Sequence, residues 1–384
     1  MVPKVERVES ISIRVLPGNG IPRLTSASPA GTSCVEPGNS FPGHGCCGDP
    51  YVSSNILLRR VSLILGLAVG LLLLVLALNS VDPAALLAAL RATNPWFVLL
   101  ALISVAATIG AKAVRWRLLF HPHEKDLRQS ALVSALLIGQ TINLLLPARL
   151  GELARAYLLG QNEGREKMLA LGTIMVEKLL DGLALLLVLG VLFLVLPLEN
   201  WLRISGALAA LVTAVLLAAV LLLGKQRERM IGASATVARR VPWLGRLHLA
   251  EHLDSLAGGV DSLLARGVRV RLMAWTAAVW LLGATTNLLI LVGMEIRVPA
   301  LLASLLVLVV VHLGLVVPSS PARIGVFHYL CLLSLTMLGV EQGQALAYGF
   351  VLHGVVVVPV LLAGLAFLWR ENLTLYRLVS EAQK

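Results

Sequence analysis

The chain has 384 residues, and only 14% of them are Asp, Glu, Lys or Arg, against roughly a quarter in an ordinary soluble domain. Nine stretches of 17 to 28 residues carry no formal charge (61–81, 92–111, 129–148, 182–198, 204–224, 272–294, 298–322, 324–340 and 342–369) and make up half the chain. Most reach the ~17–25 residues an α-helix needs to cross a bilayer, so a soluble domain is excluded and a polytopic helical membrane protein is expected. The net charge of +11 lies between these stretches, where the positive-inside rule accounts for it, and not in an aromatic-interleaved patch that would bind nucleic acid.

Residues 1–58 form a tail rich in Pro, Gly, Ser and Asn without periodicity, the composition of a disordered segment. Cys34, Cys46 and Cys47 lie there and Cys331 lies in an apolar stretch. No C-x-x-C pair exists among them, so free thiols are expected, with neither a zinc site nor a redox motif. Arg59-Arg60 place the N-terminus in the cytoplasm. The first span (61–81) is retained, and 92–111 returns the chain to the inner face.

Residues 112–128, with Lys112, Arg115, Arg117, Lys125 and Arg128 against Glu124 and Asp126, form a basic loop of net +3; residues 225–271 form a second of net +5. Both are expected in the cytoplasm. Counting back from the second, helix 168–198 starts inside and 204–224 starts outside, which leaves 129–148 between two cytoplasmic stretches. It must enter and leave on the same face, as a re-entrant hairpin that Pro147 can break. A full crossing compensated by a half-helix at 150–160 gives the same parity. Within 225–271, Trp243, Leu244, Leu247, Leu253 and Leu256 among basic residues suggest an amphipathic helix on the anionic inner leaflet or a docking surface. The expected organisation is a transmembrane domain over 59–370 in the plasma membrane and a short tail over 371–384.

Pro147-Ala148-Arg149-Leu150-Gly151 recurs 174 residues later as Pro321-Ala322-Arg323-Ile324-Gly325. Each copy follows a charge-free helix and precedes an apolar one, dividing the domain into halves at about 92–224 and 272–369. Paired interruptions of this kind point to a transporter-type site. A proline break inside a membrane leaves backbone groups unsatisfied, which is tolerated only inside protein or along a wet cavity. The helix start beyond the break aims N–H groups and a positive dipole end at that cavity, where an anion is favoured. Pro147, Gly151, Pro318, Pro321 and Gly325 are the break residues, Ser319 and Ser320 candidate caps, and Arg149 and Arg323 candidate bidentate ligands of phosphate. Alternatively, those arginines pair with Glu152 or snorkel to the headgroups.

Between the copies, Glu177-Lys178-Leu179-Leu180-Asp181 interrupts a long apolar helix. Glu177 and Asp181 share a face and Lys178 is three residues from Asp181. Charges at this depth are expensive and point to function: either proton or headgroup handling, or an ion pair with Arg149 or Arg155. His312, His328 and His353 in the second half have no metal-site spacing. They are core histidines bonded to neighbours or, acting together, groups that couple transport to protons.

The run Asn143-x-x-x-Pro147-x-Arg149-x-Gly151-Glu152-x-x-Arg155, then Glu177-Lys178-x-x-Asp181-Gly182, then Pro318-x-x-Pro321-x-x-x-Gly325-x-Phe327 resembles the lysylphosphatidylglycerol synthase transmembrane family of flippase-like bacterial membrane proteins. The likeness spans about residues 60 to 370. It implies an all-α polytopic membrane protein of about eight transmembrane helices around a lipid-sized cavity, with re-entrant or broken helices in two inverted repeats. It also implies a role with phospholipid or polyprenyl-linked lipids. Arg149, Glu152, Arg155, Ser319, Ser320 and Arg323 are then headgroup candidates, and Asn143, Glu177, Lys178, Asp181, His312, His328 and His353 the intramembrane polar set. Two residues depart from the pattern: His328 stands where many relatives carry an acid, and Lys178 where Arg is frequent.

Synthases of the family append a large soluble aminoacyl-transfer domain; about 15 residues follow the last span here, so aminoacyl transfer is not expected. The leading expectation is a lipid flippase whose partners are membrane lipids. The alternatives are an accessory subunit working with lipid-synthesis enzymes and a polytopic glycosyl- or phosphotransferase. Against an enzyme, the outer loops offer only Asp82, Glu199 and Glu295 singly, and no G-x-S-x-G or H-E-x-x-H sequence occurs. No cofactor is expected.

Overall fold

A computed structural model describes residues 66–371 apart from 80, 147–149, 197–198, 227, 230–231, 233–248 and 316–319. The tail 1–58, Arg59-Arg60, the three tail cysteines, Pro147, Arg149, Trp243, Leu244, Leu247, Pro318, Ser319 and the residues after Glu371 lie outside the described residues.

In chain order the helices are α1 (Gly66–Asn79), α2 (Pro83–Ala92), α3 (Pro95–Leu118), α4 (Gln129–Leu145), α5 (Gly151–Glu163), α6 (Lys167–Val195) and α7 (Asn200–Lys225). They continue with α8 (Leu249–Gly258), α9 (Asp261–Leu264), α10 (Arg266–Gly293), α11 (Ala300–Gly314), α12 (Val326–Thr336) and α13 (Gln342–Arg370). Local sequence sets several of the ends. Asp82 and Asn94 each accept from a backbone N–H two residues on, with proline at the first helical position of α2 and α3. Gly164, at φ +64°, ends α5 in the left-handed conformation that favours glycine.

The protein is an all-α polytopic membrane protein. Helices α3, α6, α7, α10 and α13 are each long and apolar enough to cross a membrane. The pair α1–α2, bent by 91°, forms one further candidate span. Helices α4 and α11, with 17 and 15 residues, reach only about 25 and 22 Å at 1.5 Å per residue, short of a ~30 Å hydrocarbon core. Outward residues such as Leu71, Leu187, Leu194, Leu211, Leu281 and Leu362 are exposed; a contiguous apolar exterior is costly in water and suits lipid.

Helices α4 and α5 fold back on each other around the Pro147 region. Arg128, just before α4, binds Glu163 at the end of α5 (2.8 Å), while Asn143 near the end of α4 binds Gly151 at the start of α5 (2.8 Å). The chain therefore enters and leaves this hairpin at one end of the bundle. At that end Arg165 meets Asp126 (2.9 Å), and Glu371, closing α13, accepts from Ser134 on α4. At the other end the Asn94 N–H donates to Gly293 O (2.8 Å), and α13 starts against α2 through Gly343 and Ala85.

One expected boundary is corrected. Residues 112–118 are the last turns of α3 and not part of a loop. A span that opens at Pro95 must run past residue 111 to reach membrane length. In the second basic stretch, α8 lies against the start of α6, where Ser255 donates to Glu166 and Leu256 O backs onto Gly172.

The helix starts recur. Helices α10, α11, α12 and α13 begin 171, 171, 175 and 175 residues after α3, α4, α5 and α6, bracketing the offset of the five-residue motif. Helices α3 and α10 run antiparallel: besides the Asn94 contact, Ser104 donates to Leu282 O (2.9 Å) and Thr286 donates to Ser104 (3.0 Å).

Candidate functional site

The charges that interrupt the apolar helices gather at the packing of α3, α5 and α6. Arg115 on α3 grips Asp181 on α6 with both terminal nitrogens (2.6 and 3.2 Å) and stands 3.8 Å from Glu177. Arg155 on α5 grips Glu177 in the same two-pronged way (3.3 and 2.7 Å). The fork geometry matches guanidinium to carboxylate and fixes orientation as well as attraction. The Arg155 guanidinium also lies 4.1 Å over the Trp116 ring, and the Trp116 indole donates to Thr173 (3.0 Å). Arg115, Arg155, Trp116 and Glu177 are buried.

Around this scaffold sit groups that remain accessible. The Lys178 ammonium is 3.5 Å from one oxygen of Glu152, whose other oxygen accepts from Asn143 (3.1 Å). Asn143 Oδ1 in turn accepts from the Gly151 N–H, so α4 caps α5 across the break where Leu150 supplies no side-chain cap. A Cβ on Gly151 would lie 1.9 Å from Gly139 O, so only glycine permits this approach. Lys112, half-buried on α3, makes no hydrogen bond or close ion pair among the described residues. Its charge is within electrostatic reach of Asp181, Arg115, Glu177 and Lys178. Among the described residues on these three helices and at the α4 end, four cations (Lys112, Arg115, Arg155, Lys178) face three anions (Glu152, Glu177, Asp181).

The second half contributes the turn Pro321–Arg323 and its neighbours. Ala322 and Arg323 both have left-handed backbones (φ +54° and +61°), and Gly325 follows at φ +86°. Non-glycine residues adopt such angles only when the surroundings hold them there. His353 Nε2 donates to Ala322 O (2.8 Å), and the Gly325 N–H donates to His328 Nδ1 (3.3 Å). The two imidazoles lie tilted against each other with centroids 4.8 Å apart, His353 edge-on to Phe327 and His328 beside Phe350. His312 is exposed, bonds Leu308 O (2.7 Å) and packs on Trp280. Lys112, Asp181 and Arg323 are all within its electrostatic reach, so the two halves face each other here.

Several expectations change. Ser320 does not cap α12: its hydroxyl donates to Ile324 O (2.5 Å), closing the turn on itself, and His328 takes the capping role. Lys178, three residues from Asp181 in sequence, pairs with Glu152. Of the two arginines expected beside the acidic pair, Arg155 binds Glu177; Arg149 lies outside the described residues, as do Pro147, Pro318 and Ser319. Lys112, Arg115 and Trp116 were not expected at the site. Their signal is the spacing of three and four at the C-terminal end of an apolar helix, which places them on one face. The positive-inside rule hid it by assigning both cations to a loop.

Among the described residues no group of three His, Cys, Asp or Glu could hold a metal, and Cys331 is a buried free thiol. An open hollow of about 470 Å³, lined by residues including Asp82, Thr336 and Glu341, lies where α2 meets the start of α13, apart from the charge cluster.

Membrane-length helices with charges converging between them define a polytopic α-helical membrane protein with a polar interior. The family model described as the lysylphosphatidylglycerol synthase TM region matches residues 63–364, and the chain belongs to that family. It is 24% identical over 355 residues to the glycosyltransferase AglD of Haloferax volcanii, covering 84% of this chain and 57% of that protein. It is 28% identical over 177 residues to a UPF0104 membrane protein of Methanothermobacter thermautotrophicus, covering 44% of this chain and 52% of that one. The chain thus spans little more than half the length of these relatives. No solved structure matches it.

Proposed function

We propose that this protein binds the phosphate-bearing headgroup of a phospholipid or a polyprenyl-phosphate-linked lipid at the charge cluster and carries it across the bilayer. The observation that carries this reading is the excess of cation within an apolar bundle, with the Lys112 ammonium left without a close partner among the described residues. A bare cation at membrane depth is costly, and an anionic ligand removes that cost. Arg115 and Arg155 are committed to Asp181 and Glu177 and act as scaffold. Lys112, Lys178 and Arg323, which are half-buried or exposed, are the cations a headgroup can reach, while its chains stay in lipid. The recurring helix starts and the antiparallel α3–α10 pair support two inverted repeats that rock about the site. The end bearing Arg117, Lys125, Arg128, Arg266, Arg269, Arg271 and Arg370 would face the cytoplasm, placing the N-terminus there in the plasma membrane.

The relative named a glycosyltransferase favours a second reading, in which this domain serves sugar transfer involving a lipid carrier, as an enzyme or as an accessory part of an envelope-synthesis complex. The first reading is tested by native mass spectrometry of the gently purified protein. A co-purified phosphate-bearing lipid is expected on the wild type and lost from Lys112→Ala and Arg323→Ala. A wild type that carries no lipid, or variants that keep it, would overturn the assignment.

A further inference from the structure

Two histidines, His328 on α12 and His353 on α13, bond to the backbone of the break before α12. The Gly325 N–H donates to His328 Nδ1, which fixes the tautomer: the ring is neutral and carries its proton on Nε2. That Nε2 is buried without a hydrogen-bond partner among the described residues, and His328 is 2% exposed. A buried donor left unmatched is destabilising, so the ring is held here at a cost.

A second proton can enter only at Nδ1, and only if the Gly325 bond breaks. Among the described residues the ionisable group facing the ring is His353 from α13, which itself lies within electrostatic reach of Arg323 in the preceding turn, with Cys331 one turn further along α12. The segment of α1 packed on this break presents Gly70, which has no side chain to titrate. The start of α12 adds the positive end of its dipole. Burial first, and then the neighbouring imidazole and the dipole, oppose a charge on His328 while the site is empty. An anion arriving beside Arg323 reverses the local field and makes the proton welcome.

Resting on the headgroup reading, we propose that His328 is a proton-binding site and that the protein moves one proton with each anionic headgroup. The hydrogen bond from Gly325 to Nδ1 breaks, a proton from water forms an N–H bond at Nδ1, and the Gly325 N–H is released toward the anion. When the headgroup leaves, the proton returns to water and the Gly325 bond re-forms. The charge of the proton offsets that of the headgroup, so the cycle is electroneutral. His353 acts as a positioning residue: its bond to Ala322 O holds the turn that presents Arg323.

The test uses proteoliposomes with labelled phosphatidylglycerol, a trapped pH dye and an imposed gradient. One proton per lipid predicts roughly tenfold enrichment of the label in the leaflet on the alkaline side per pH unit, and label movement accompanied by dye-reported proton flux. In His328→Asn the Oδ1 can keep the Gly325 bond but cannot titrate, and the leaflet ratio should stay near one. Wild-type vesicles that equalise the label between leaflets despite the gradient, without proton flux, would overturn the proposal. So would His328→Asn vesicles that enrich it as the wild type does. If wild-type vesicles move no label at all, the headgroup reading itself fails. The dye signal on the unaltered protein decides the matter even if the variant does not fold.

Discussion

At the scale of single residues, Arg155 and Arg115 each hold one carboxylate of a like-charged pair that shares a face of α6. The desolvation cost of such ions is offset only while both partners are present. Arg155→Leu should therefore lose about 3–5 kcal/mol by stranding Glu177, read as a lowered melting temperature in detergent. The double variant Arg155→Leu with Glu177→Leu should recover most of that loss; a single variant that melts like the wild type would show that the pair is not coupled. Glu177, Lys178 and Asp181 were visible in the sequence because charges inside an apolar run stand out. Arg155 was named beside them, but the partner of Asp181 was not. Arg115 lies 66 residues from Asp181, and one sequence holds no record of which helices meet. It also sits at the end of its span, where a cation has an ordinary explanation as a topological anchor.

At the scale of helices, the α4–α5 hairpin depends on glycine at the contact. A Cβ at Gly151 would overlap Gly139 O, whereas one at Gly110 in α3 would meet nothing within 4 Å. Gly151→Ala should force the two helices apart and cost about 1–3 kcal/mol. Gly110→Ala should be neutral or gain up to ~1 kcal/mol from helix propensity. Thermal unfolding of the two variants side by side checks this, and equal melting temperatures would contradict the packing described. Parity between two basic stretches left two arrangements, a re-entrant hairpin or a full crossing with a half-helix at 150–160, and both turn the chain back between α4 and α5. The capping was less legible. Ser320 has the chemistry of a cap, yet the turn after Pro321 points its hydroxyl at Ile324 O and leaves the helix start to His328. Side-chain type narrows the choice of cap, but backbone direction makes it.

At the scale of the whole molecule, charge-free stretches covering half the chain announce the solvent, and a five-residue motif seen twice raises the expectation of two repeats. Helix starts that recur across the two halves give that motif a structural setting, and His312 of the second half lies within electrostatic reach of Lys112 and Asp181 in the first and of Arg323 in its own. On the proposed reading, an anion held there would touch both halves and bias their relative position, which is what alternating access requires. The direct measurement is the rate at which labelled phosphatidylglycerol crosses the bilayer of proteoliposomes without an imposed gradient. Wild-type protein should move the label well above the rate of protein-free vesicles, and Lys112→Ala combined with Arg323→Ala should lower the protein-dependent rate about tenfold, as loss of ~1.4 kcal/mol of headgroup interaction implies. A wild-type rate equal to that of protein-free vesicles would contradict lipid translocation as the function of this protein.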